Sequence, residues 1–95
     1  MSLDAVRNEI REIDEKIIDL IAERQNLAAE VARIKREMGL PLRDEAQRMA
    51  VIDRVFTRAA ESRIDPIAVR RVFEILIEMS EERSCELPLH GALPA

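Results

Sequence analysis

The 95-residue sequence has no Trp, no Tyr and only two phenylalanines, Phe56 and Phe73, so it lacks the aromatic platforms on which single-stranded nucleic acid stacks. Its formal net charge of −4 removes the basic footprint as well, and no nucleic-acid partner is expected. Two glycines, Gly39 and Gly91, cannot build the glycine-rich loop that cradles a nucleotide phosphate. The single cysteine, Cys85, closes no internal disulfide and no thiolate metal cage, and the lone histidine, His90, stands close to the C-terminal end. Neither a metal nor any other cofactor is expected. No apolar run approaches the ~18 residues of a membrane span, and Met1-Ser2-Leu3-Asp4 lacks the basic-then-apolar order of a signal peptide. The expectation is a cytoplasmic protein with no membrane partner.

What is present is helical patterning. Apolar residues make up 47% and charged residues 36% of a chain too short to divide into two cores, which describes one small, surface-rich domain. Four prolines, Pro41, Pro66, Pro88 and Pro94, punctuate three stretches of good helix formers and a short tail. An all-α fold of three helices is predicted over residues 1–84, with 85–95 expected to be a disordered tail. The first helix should start near Ser2 or Asp4 and stop at Gly39, ahead of Pro41. Along it Val6, Ile10, Ile13, Ile17, Leu20, Leu27, Val31, Ile34 and Met38 follow steps of four and three, the seam of a helix packed along another helix. Asp44 caps a second helix with Met49, Ile52, Val55, Phe56 and Ala59 on one face, ending near Ser62 to Ile64. Asp65-Pro66 opens a third, with Val69, Val72, Phe73, Leu76 and Met79 inward.

The first helix would be roughly 50 Å long, far more than a compact chain of this size can cover, since its radius of gyration would be only about 12–13 Å. A homodimer in which the long helices pair is therefore expected, a kinked or broken helix being the structural alternative.

Arg24 occupies a slot where the seam calls for an apolar side chain, and a charge so placed needs a partner or a ligand. Lys35 lies eleven residues on, close to three turns, on the same face and about 16 Å away. The two cations either outline an anion-binding face, or Arg24 pairs with Glu23, Glu30 or a carboxylate of a partner chain and Lys35 is solvated surface. If two long helices cross antiparallel near residue 18, Arg7 of one chain falls level with the Arg24–Lys35 interval of the other, completing a ring of cations suited to a dianion.

Arg7, Ile13-Asp14, Leu20-Ile-Ala-Glu-Arg24, Ala28 to Val31, Lys35, Gly39-Leu-Pro41, Arg43-Asp44 and Phe73-Glu-Ile-Leu-Ile-Glu78 through Ser80 together resemble the all-helical chorismate mutases, without gaps over roughly residues 5–84. The resemblance implies an intertwined, domain-swapped homodimer with two sites, chorismate as substrate and prephenate as product. It implies that Arg24, Lys35 and Arg7 of the other subunit hold the two carboxylates, that Lys35 also donates to the ether oxygen, and that Asp44 and the residue at position 48 handle the ring hydroxyl. A pericyclic step needs no nucleophile, metal or proton shuttle, only a fixed conformer and cations waiting where charge separates.

Three positions depart from the family pattern. Gln47 stands where an arginine is usual and Arg48 where an acid is usual, so Arg48 is either a substitute ligand for a substrate carboxylate or a surface cation. Ser84 stands where a glutamine or glutamate commonly binds the ether oxygen; it shares a helix face with Ser80, but would need a bridging water to reach substrate, or it is simply polar rim. These departures leave two other readings open. One is an isochorismate pyruvate lyase or aminodeoxychorismate mutase on the same scaffold; the other is a weakly active or silent helical dimer serving as a binding module.

Overall fold

The computed structural model describes residues 2–90, with side chains as far as Arg83. The chain forms helices α1 (Leu3–Met38), α2 (Glu45–Glu61) and α3 (Pro66–His90), and no strand occurs among the described residues. The all-α, three-helix expectation holds, and α1 runs unbroken, which removes the broken-helix alternative.

Local chemistry sets each boundary. The Ser2 hydroxyl accepts from the Ala5 N–H at 3.0 Å and caps α1. Gly39 ends α1 at φ +70°, a left-handed conformation open to glycine, while its own N–H and that of Leu40 donate to the Arg36 and Lys35 carbonyls. Asp44 Oδ1 accepts from the Gln47 N–H at 3.0 Å to start α2, and Asp65 Oδ1 accepts from Ile67 and Ala68 to start α3 behind Pro66. On the outer face of α1, Arg33 bonds Glu30 and, at 2.7 Å, Glu37; the bond from Arg33 holds the Glu30 carboxyl below its ordinary pKa.

Helix α3 packs against both α1 and α2, which do not pack on each other. The interior is thin: among the described residues Ala32, Val51, Ala59, Ile77 and Ser80 are buried, and no large side chain is completely enclosed. Because α3 serves two neighbours, its inward surface is wider than one apolar stripe. Ile77 is buried, Val69, Phe73, Leu76 and Met79 are half-buried, and Val72, expected inside, is 53% exposed. On α2 the buried positions are Val51 and Ala59, and Met49, expected on the inner face, is exposed. The α3 backbone continues past Ser84 to His90, where a tail without helix was expected; residues 91–95 and the side chain of Ser84 lie outside the described set.

Every residue of α1 from Leu3 to Leu20 is exposed. The 36 residues of α1 account for the molecule's longest dimension of 54 Å, and the radius of gyration is 16.5 Å, against about 12–13 Å for a compact chain of this length. The chain exposes 7681 Å² at a mass of 10.9 kDa, where a compact monomer would expose about 5,600 Å².

Candidate active site

A cleft of about 500 Å³ opens between the second half of α1, the start of α2 and the α3 turns around Ile77 to Glu81, a size suited to a small-molecule ligand. Its floor is apolar, from Val31, Leu42, Val51 and Ile77, and its polar wall carries Arg24, Lys35, Asp44, Arg48 and Ser80. Five of the seven residues singled out from the sequence thus surround one space. The tertiary cause is the position of α3. It brings Ser80 onto the Arg24 turn of α1, while the Gly39–Arg43 connection folds Asp44 and Arg48 back toward Lys35.

Arg24 has neither of the intrachain carboxylate partners considered for it; Glu30 is engaged with Arg33 instead. The Arg24 guanidinium donates from Nη1 to Ser80 Oγ at 2.7 Å and to the Leu76 carbonyl at 3.3 Å. Ser80, 8% exposed, accepts that bond and donates its own hydroxyl hydrogen bond to the Leu76 carbonyl at 3.0 Å. Ser80 therefore fixes where the guanidinium points. Lys35 Nζ donates to the Leu42 carbonyl at 3.3 Å, which ties the ammonium to the loop ahead of α2. Asp44 commits Oδ1 to the helix cap, keeping its other oxygen as an acceptor.

The other two arginines at the cleft are matched. Arg43 pairs with Glu45 at 3.5 Å in an exposed position, and Arg48 Nη1 donates to Glu81 Oε1 at 3.1 Å. Among the described residues, Arg24 and Lys35 meet only neutral oxygens. Two fixed cations bonded to neutral oxygens, over an apolar floor, suit an organic dianion.

The family model for chorismate mutase type II matches residues 6–84. The chain belongs to the type II chorismate mutase family. It is 41% identical over 76 residues to a chorismate mutase of Methanocaldococcus jannaschii, an overlap covering 80% of this chain and 77% of that protein. It is 34% identical over 76 residues to the bifunctional chorismate mutase/prephenate dehydratase of Escherichia coli K12, covering 80% of this chain and 20% of that one. A bifunctional protein of the same description from Buchnera aphidicola subsp. Acyrthosiphon pisum is 30% identical over 79 residues, with 83% and 20% covered. The reading of the chain as an enzyme, a chorismate mutase of the isomerase class, stands on these matches.

Arg7 is not brought to the cleft by the described structure, and the side chain of Ser84 lies outside the described residues. Arg7 sits on the exposed N-terminal half of α1, about 25 Å along the helix axis from Arg24, so it cannot reach the cleft of its own chain. Sequence reasoning missed Glu81, which lines the cleft and holds Arg48, and the Leu76 carbonyl that shares Arg24. No local pattern signals either, because each contact joins helices far apart in the chain. Among the described residues, no cluster of His, Cys, Asp and Glu could hold a metal, and no helix is long and apolar enough to cross a membrane.

Proposed function

We propose that this cleft is where chorismate rearranges to prephenate, and that Arg24, Lys35 and Arg7 of a second copy are the residues that carry the reaction. The supporting observation is the pair of cations, Arg24 and Lys35, held by neutral oxygens over an apolar floor. As the Claisen-type rearrangement proceeds, the ether C–O bond breaks, the new C–C bond forms, and negative charge gathers on the enolpyruvyl oxygen. Arg24 binds a substrate carboxylate and helps hold the side chain folded over the ring. Lys35 donates to the ether oxygen, more strongly as its charge grows. A donor aimed at developing charge lowers the barrier by about 3–4 kcal/mol, and holding the folded conformer supplies orientation that solution lacks. Asp44 meets the polar edge of the ring through its backbone N–H, which donates to the hydroxyl oxygen.

The active form in this reading is an intertwined homodimer. Its support is the uncovered apolar row Val6, Ile10, Ile13 and Ile17, 37–53% exposed on the half of α1 that no described part of its own chain covers. A second α1 laid antiparallel buries that row and carries its Arg7 toward the open side of the cleft. Ser84, one turn beyond Ser80, is assigned to the rim, reaching substrate through water. The same reading keeps the enzyme cytoplasmic.

The test is turnover by the purified chain, followed as loss of chorismate absorbance with appearance of prephenate. Conversion at micromolar enzyme is expected. Release of pyruvate from isochorismate without prephenate formation would instead favour the lyase, and no turnover of any of these substrates would leave the silent dimer.

A further inference from the structure

The sequence leaves Arg48 with two roles, ligand for a substrate carboxylate or surface cation; the structure gives it a third position. Arg48 is only 27% exposed in its side chain and is bonded at 3.1 Å to Glu81, itself 41% exposed, across the space between α2 and α3. Both residues line the cleft. A cation already matched by a carboxylate gains little from a second one, because the new bond strands Glu81 beside a dianion. Arg24 and Lys35, which meet neutral oxygens, carry no such penalty.

The unexplained feature is then the acid. A carboxylate in the wall of a dianion site is repulsive unless the ligand offers it a proton. Chorismate, with both carboxyls ionised, has one O–H donor, its ring hydroxyl. Arg48 engages Glu81 through Oε1, which leaves the carboxylate with further lone pairs for an incoming donor. Of the other two acids lining the cleft, Glu45 pairs with Arg43 and Asp44 has Oδ1 committed to capping α2. We infer that Glu81, tethered across the cleft by Arg48, accepts the hydrogen bond of the substrate's ring hydroxyl, and that Arg48 is its positioning residue and not a carboxylate ligand. The inference rests on the chorismate mutase reading of this cleft. In effect the acid that α2 lacks at position 48 is provided from α3, with the cation and the anion exchanged between the two helices.

The two roles for Arg48 predict opposite signs for one substitution. If Glu81 receives the hydroxyl, Glu81→Gln lowers kcat/KM for chorismate by about tenfold, mainly through KM, since a charged acceptor becomes a neutral one. If Arg48 is a carboxylate ligand, the same change frees it and removes a repulsive charge, so KM falls. The methyl ether of the ring hydroxyl, which has no proton to give, separates the proposal from a purely structural brace. Glu81→Gln should leave turnover of the ether unchanged or improved, collapsing the preference for chorismate, whereas loss of a brace would depress both substrates together with Tm. Arg48→Met provides a second variant. The proposal expects the same narrowing of preference with a loss of about tenfold, and a fall of 10² or more on both substrates alike would overturn it. The wild-type chain in the same assay keeps the two levels apart. Failure to turn over chorismate would defeat the cleft's assignment, while normal wild-type turnover with an unaltered Glu81→Gln enzyme would defeat only the role given to Glu81.

Discussion

Arg24→Ala is expected to lower kcat/KM for chorismate by about 10³-fold while shifting Tm by no more than a few degrees. The fall combines a lost charge-assisted bond to a carboxylate, about 1.5–3 kcal/mol, with the loss of a positive charge held over a low-dielectric floor as the transition state forms. The fold should tolerate the change because the guanidinium lies on the cleft wall and not among Ala32, Val51, Ala59 and Ile77. Arg24→Lys keeps the charge but loses the planar fork that addresses Ser80 and the Leu76 carbonyl, and should recover only part of the activity. Ser80→Ala, which releases one of those anchors, should cost about tenfold. Steady-state kinetics alongside thermal melts reads all three. An Arg24→Ala enzyme with near wild-type kcat/KM would remove the cation pair from the mechanism.

Ile17→Glu is expected to abolish both the dimer and the activity at micromolar concentration, although residue 17 lies well outside the cleft. Ile17 is 49% exposed in the isolated chain, and burying such a side chain contributes about 1.5–3 kcal/mol. In a two-fold dimer the substitution acts at two places, and it replaces apolar burial with an unpaired charge that must be desolvated. A single chain whose buried core consists of Ala32, Val51, Ala59 and Ile77 has little stability to spare. Sedimentation should show the variant dissociated, and its far-ultraviolet dichroism should show weakened or lost cooperative melting. A variant that stays dimeric, or a fully active monomer, would contradict this role for the α1 seam.

The helix ends were legible in the sequence because each is decided within a few residues. Ser2, Asp44 and Asp65 accept from their own first turns, and Gly39 takes the left-handed conformation directly ahead of Leu40-Pro41. Arg24 was legible as an interruption of apolar spacing, and the family resemblance tied it to Lys35 and Asp44. The chemistry that holds these groups was not legible. Whether Ser80 lies under Arg24, or Glu81 opposite Arg48, depends on how α3 is rotated and shifted along its neighbours, and that register is a tertiary quantity. The same cause explains Val72 and Met49. Both obey the helical period, yet they face away from the chain's own core, because α3 divides its contacts between α1 and α2. Their exposure, like that of Ile13 and Ile17, leaves them on surface that this chain does not cover.

The central claim is that one catalytic site takes residues from two chains, and mixing two inactive variants tests it most directly. Arg7→Ala and Arg24→Ala chains, each of low activity alone, are unfolded, combined in equal amounts and refolded together. Random pairing makes about half of the dimers mixed, and each mixed dimer has one site with Arg24 from one chain and Arg7 from the other, so about a quarter of wild-type activity should return. Activity no greater than the sum of the separate variants, from a mixture shown to contain mixed dimers, would contradict the shared site.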